Sequence, residues 1–79
     1  MMRSKALSLI VTFPSTTQAM LMEAKCKEFN TPGRMIPIPG EISAGCGLAW
    51  KAEPVYREEI EQLIKDQGIQ MEGMAEILF

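Results

Sequence analysis

The stretch RMIPIPGEISAGCGLAWKA, residues 34–52, decides how this chain of 79 residues is read. Its first part, RMIPIP, has the apolar character of a strand, but Pro37 and Pro39 have no N–H to give to a ladder. Such a strand belongs at a sheet edge, with both prolines turned away from its one neighbour. The last part, CGLAWKA, alternates, with Leu48, Trp50 and Ala52 on one side and Lys51 on the other, which predicts a second strand. The loop between them, GEISAG, delivers Cys46 flanked by Gly45 and Gly47. Two consecutive strands therefore occupy the middle of the chain, and the segments on either side settle the class.

On the N-terminal side, ALSLIVTF (6–13) places Leu7, Leu9, Val11 and Phe13 at period two, with Ser8 and Thr12 opposite. Pro14 stops this strand, and Ser15 followed three residues later by Gln18 is a capping-box signature. A helix follows from about Thr16 to Phe29, with the apolar stripe Ala19, Met22, Cys26 and Phe29, and Asn30 to Gly33 end it. On the C-terminal side, Pro54 suits a first helical position, Glu58, Glu59 and Glu61 load the early turns, and Lys65 lies late. Tyr56, Ile60, Leu63 and Ile64 form the buried stripe of this second helix, and Gly68 stops it. QMEGMAEILF (70–79) returns to strand alternation through Ala75, Ile77 and Phe79, with a bulge expected at Gly73. The order strand, helix, strand, strand, helix, strand predicts an α+β, ferredoxin-like split βαβ fold. Its four-stranded antiparallel sheet has strand order 4-1-3-2, with both helices on one face and residues 1–79 as a single domain.

Composition narrows the function classes. With 47% hydrophobic and 23% charged residues and a net charge of -2, the chain lacks the clustered Lys/Arg surplus of a nucleic-acid-binding domain. No segment reaches the ~18 apolar residues of a membrane span. MMRSKALSLIVTF imitates a secretory signal, but Ser8 and Thr12 interrupt it, Pro14 follows, and no small-x-small cleavage site precedes the helix. Two cysteines and no histidine point to free thiols in the reducing cytoplasm. A tetrahedral zinc site would need carboxylates or a second chain to complete it. The seven methionines read as gap-fillers, Met22 and Met71 at core positions.

Following the chain through this topology brings the loop carrying Cys46 to the end of the sheet where the first helix begins. Unpaired N–H groups and the positive end of the helix dipole there lower a thiol's pKa and favour the reactive thiolate. Ser15, Thr16 and Thr17 would supply the capping turn and its backbone donors, and Gly45 and Gly47 would leave the sulfur room. Glu41, beside the loop, either orients a substrate or accepts a proton, or is a solvated carboxylate. Arg34 and Lys51, in the flanking strands, are candidates for added positive charge. The plain alternative for Cys46 is a small residue that suits the start of a central strand. Cys26, on the helix stripe between Met22 and Phe29, reads as core, and so does Trp50, which alternates with Leu48. There is no Ser-His-Asp set, no phosphate-cradling glycine motif and no paired carboxylate at a recognisable spacing.

FPSTTQA (13–19), RMIPIPGEISAGCGLAW (34–50) and the glutamate-rich helix ending in QGIQMEG resemble the small bacterial family described as putative selenium/sulfur carrier-like proteins. The resemblance covers residues 7 to 77. Its most specific parts are the proline-bearing strand, the I-S-x-x-C-G element and the apolar strand that follows. It implies that Cys46 holds sulfur or selenium as a persulfide or selenopersulfide, taken from a donor such as a cysteine desulfurase and passed to an acceptor protein. It also implies a non-enzymatic carrier that needs no cofactor. One departure is Gly40, where relatives commonly carry an arginine; without that cation the helix start is the main electrostatic aid. Two other readings stand beside it. In the first, the chain is an interaction or regulatory module that pairs, as a homodimer or with a partner, through a sheet edge, and Cys46 is structural. In the second it is a redox sensor joining Cys46 to Cys26, which the helix-face position of Cys26 disfavours.

Overall fold

A computed structural model describes residues 6–38 and 47–78 of the chain. Alternation in LSLIVT produces β1 (Leu7–Thr12), after which Pro14 breaks the ladder and Ser15 opens α1 (Thr16–Phe29). The chain leaves α1 through Asn30 in the left-handed region (φ 56), where the Thr31 N–H donates to the Cys26 carbonyl at 2.8 Å. β2 (Arg34–Pro37) and β3 (Leu48–Ala52) follow. Pro54 opens a 3-10 turn (Pro54–Tyr56) instead of the first turn of the second helix, and α2 runs Arg57–Asp66. Gly68 (φ 66) closes α2 as expected: its N–H reaches the Lys65 carbonyl at 3.4 Å and the Ile69 N–H reaches that of Ile64 at 3.0 Å. This is a Schellman turn, and it tucks Ile69 into the core. β4 (Gly73–Leu78) completes an antiparallel sheet of order β2-β3-β1-β4, the order read from the sequence.

Both helices pack on one face. Leu9, Val11 and Phe13 from the β1 segment, Trp50 and Ala52 from β3, Ala19, Met22 and Cys26 from α1, and Ile60, Leu63 and Ile64 from α2 form one buried cluster. The opposite face is not a bare polar surface: Ile10, Ile36 and Ala49 are buried there, with Ile38 and Ile77 packed against them. Ser8 and Thr12 share that face and are buried too, each hydroxyl donating to a carbonyl, of Ala6 at 3.2 Å and of Gly73 at 3.3 Å.

Two expectations about single side chains are corrected. Phe29 is 49% exposed, because the core stripe of α1 ends at Cys26, one turn before the helix does. Met71 is 42% exposed, since the turn at Gly68 sends Ile69 inward in its place. Ala75 and Ile77 face away from the helices. Their partners in β1 are Ile10 and Ser8, so Met74 is the β4 residue that joins the helix-side core. The irregularity expected at Gly73 sits at the start of β4. Glu72 donates to the Thr12 carbonyl at 2.7 Å although the register partner of Thr12 is Gly73, and the ladder then runs unbroken to Leu78.

Trp50 is the anchor of the helix-side core at the β2 edge. Its indole N–H donates to the Pro32 carbonyl at 3.3 Å, and Gly33 (φ 128) lies so close that a Cβ there would overlap the ring. Only glycine fits this turn, for reasons of both conformation and space.

Candidate functional site

The strand register locates the end of the sheet that matters. The β1–β3 ladder ends at Thr12 opposite Ala49, so Gly47, two residues before Ala49, and Pro14, two residues after Thr12, leave the sheet at the same end, just ahead of α1. Across the β2–β3 connection the Ile38 N–H donates to the Gly47 carbonyl at 3.0 Å, closing the hairpin at its base. Gly47 adopts φ 76, and among the described residues a Cβ placed there would meet nothing within 4 Å. The positive φ is by itself reason for glycine at this position.

At the same end, Ser15 (φ -152, ψ 160) caps α1: its Oγ accepts from the Gln18 N–H at 3.4 Å and its carbonyl from the Ala19 N–H at 3.2 Å. The capping box is only half made. The Gln18 Oε1 turns away from Ser15 and accepts from the Gln70 N–H at 2.9 Å, tying the helix start to the segment before β4. No acidic side chain occupies the first turn of α1, so the helix itself places no carboxylate against the positive end of its dipole. Ser15, Thr16 and Thr17 are exposed. The structure thus brings Ser15, Thr16, Thr17 and Gly47 to one end of the sheet, whereas Gly40, Glu41, Gly45 and Cys46 lie outside the described residues.

The family model described as Putative Se/S carrier protein-like matches residues 8–76. The chain belongs to this family. No curated protein and no solved structure matches the chain significantly. The family match begins in β1 and ends in β4, so it takes in the α1 start, Gly47 and the position of Cys46.

Within this Se/S carrier-like chain the remaining candidates separate clearly. Cys26 is 1% exposed, and burial, with Glu59 as a smaller cause, pushes its thiol up to about 11 from the ordinary 9.0. It is a core residue, as expected, and an unreactive one. Arg34 and Lys51 do not flank the Gly47 end. They pair with each other at the far end of the β2–β3 ladder, three residues from Pro37 and Leu48, roughly 10 Å away at strand rise. There, with Leu7, Pro32, Glu53 and Tyr56, they line a groove of about 420 Å³. A second groove, of about 490 Å³, runs over Cys26 and Trp50 between α1 and β2. Among the described residues no group of three His, Cys, Asp or Glu side chains could hold a metal ion, and no helix is long and apolar enough to cross a membrane.

The residues that sequence reasoning missed are Gln18, whose side chain serves a tertiary contact, and Gly33, whose tie to Trp50 spans 17 positions. Only the Thr-Pro-Gly turn signal marked the second, and nothing marked the first.

Proposed function

We propose that this chain is a carrier that holds sulfur or selenium on Cys46 as a persulfide or selenopersulfide and passes it to an acceptor protein. The observation that carries the proposal is the family match over residues 8–76, which spans the whole fold. Two features support it. Cys26 is buried with its pKa raised, which leaves Cys46 as the thiol for the work, and the first turn of α1, at the Gly47 end, carries no acidic side chain of its own.

Loading is a transfer of sulfane sulfur. The Cys46 thiolate attacks the outer sulfur of a donor persulfide, such as that of a cysteine desulfurase in the reducing cytoplasm. A new S–S bond forms on Cys46 as the donor's S–S bond breaks, and the electron pair leaves on the donor's thiolate. Delivery repeats the exchange, with the acceptor's thiolate as nucleophile and Cys46 as leaving group. Both steps are redox-neutral and need no cofactor. The first-turn N–H groups of Thr16 and Thr17, held by the Ser15 cap, stabilise the negative charge on the departing or attacking sulfur.

Intact-mass measurement after incubation with a cysteine desulfurase and cysteine tests this. The wild-type chain and Cys26→Ser are expected to gain one sulfur atom and Cys46→Ser none. No adduct on wild type, under conditions that load an established carrier, overturns the proposal.

A further inference from the structure

We propose that β4 is the docking edge for a second copy of this chain, the two strands pairing antiparallel about a two-fold axis into one continuous sheet. The inference starts from the direction of backbone groups. In an antiparallel ladder, residues alternate between turning N–H and C=O toward one neighbour and toward the other. The Ile38 N–H bonds to Gly47, so Ile36 and Arg34 also face β3, and Met35 and Pro37 face outward. Pro37 has no N–H to offer, and the β2 edge is thereby blunted as natural sheets blunt exposed edges.

The same alternation carried through β3 and β1 gives the other edge. Ala49 and Lys51 face β2, so Leu48, Trp50 and Ala52 face β1; Leu9 and Val11 face β3, so Ser8, Ile10 and Thr12 face β4. Their partners Ile77, Ala75 and Gly73 face back, and the Thr12 carbonyl does turn toward the β4 side, where it accepts from the Glu72 N–H just ahead of the regular ladder. Met74, Glu76 and Leu78 therefore turn their N–H and C=O groups outward. Among the described residues β4 has no ladder except that with β1. No proline or lysine guards it, and its one charge, Glu76, is taken up by Arg57 at 2.6 Å.

The strand is suited to itself. The antiparallel register that uses all the outward groups places Glu76 opposite Glu76 of the copy, Met74 opposite Leu78, and Ala75 opposite Ile77. Leu78 is 60% exposed and stands beside Leu7, itself 49% exposed; facing Met74 of the copy covers it. The like charges at the axis are tolerated because each Glu76 already carries Arg57, and the two ion pairs then lie side by side.

Sedimentation equilibrium of the full chain over a range of concentrations tests the proposal. Wild type is expected to show twice the chain mass. Leu78→Lys, and Glu76→Pro, which removes an outward N–H that β1 does not use, are expected to be monomers with unchanged far-UV circular dichroism. Met20→Lys, an exposed change on α1, should remain dimeric. A wild-type monomer at every concentration, or a dimer that survives Leu78→Lys, overturns the proposal. Hydrogen exchange keeps the test open should Glu76→Pro unfold: the amides of Met74, Glu76 and Leu78 must slow as concentration rises, and exchange independent of concentration also overturns it.

Discussion

Replacing Gly33 by alanine tests the packing of the β2 edge most sharply. Gly33 has φ 128, and a Cβ built on it falls 2.7 Å from Trp50 Cε2 and 2.8 Å from the Lys51 carbonyl oxygen, with the indole nitrogen nearer still. The backbone at Lys51 belongs to a central strand, and the ring is buried with its N–H bonded to Pro32, so neither side yields easily. Holding a non-glycine residue in this conformation costs about 1–3 kcal/mol, and forcing a methyl group into filled space about 1–3 kcal/mol more. Weakening the indole hydrogen bond adds about 1 kcal/mol. A loss of about 4 kcal/mol is expected, which for a domain of this size lowers the melting temperature by roughly 15–30 °C. Urea unfolding read by the fluorescence of Trp50, the one tryptophan, measures it directly. Gly68→Ala is the matched control: φ is 66 there but nothing lies within 4 Å of the added Cβ, so only about 1 kcal/mol is expected. Equal losses in the two variants would refute the argument, because the difference between them isolates the overlap with Trp50.

Other expectations follow from the two cysteines and the helix start. At neutral pH the thiolate fraction of Cys26, with its pKa about 11 against an ordinary 9.0, is roughly 100-fold below that of an unperturbed thiol. In the folded protein an alkylating agent followed by peptide mass analysis should therefore mark Cys46 well before Cys26, and equal slow labelling of both would remove the basis for the carrier. Because the folded state raises the Cys26 pKa, it keeps that proton while the unfolded chain loses its own. The contribution is whole below pH 9.0 and fades between 9.0 and about 11, a loss of at most about 2–3 kcal/mol by the top of the window; urea midpoints across that range should fall further in wild type than in Cys26→Ala. Gln18→Ala leaves the Gln70 N–H without its acceptor and should cost about 1 kcal/mol in urea unfolding, whereas Gln18→Glu, which keeps the acceptor, should cost less.

Much of the fold was legible because its signals are local. Period two in LSLIVT, the prolines of RMIPIP and the glutamate-rich start of the second helix each name an element, and their order admits few topologies. Cys26 and Trp50 were correctly placed in the core by the same periodicities. What the local signals left open was phase and register. GMAEIL has apolar residues at both parities, Met74 and Leu78 on one and Ala75 and Ile77 on the other, so alternation identifies the strand but not its buried face. Pairing with β1 decides that. Arg34 and Lys51 are similar: nothing in the sequence says that they oppose each other at the end of the ladder remote from Gly47. For the candidate site, topology reaches only as far as putting Gly47 and the start of α1 at the same end of the sheet. The diversion of Gln18 to Gln70 is a contact across 52 positions and leaves no local trace.

The burial of Cys26 also bears on what kind of thiol protein the proposed function describes. A persulfide with a second reactive thiol in reach is resolved within the chain: the neighbour attacks, sulfide leaves, and an internal disulfide remains to be reduced. That outcome needs a second thiolate, and Cys26 supplies almost none, being 1% exposed with its pKa near 11. It also lies ten residues along α1 from Thr16, roughly 15 Å from the helix start at which Gly47 is placed, against the ~4–7 Å between Cα atoms that a disulfide requires. A sulfur loaded on Cys46 would therefore persist until an outside nucleophile removed it. Such persistence separates a carrier from a reductase, and it has a direct consequence. The loaded chain kept free of external thiols should retain its added sulfur without forming an internal disulfide, whereas release of sulfide with loss of both free thiols would mean that Cys26 is reachable after all.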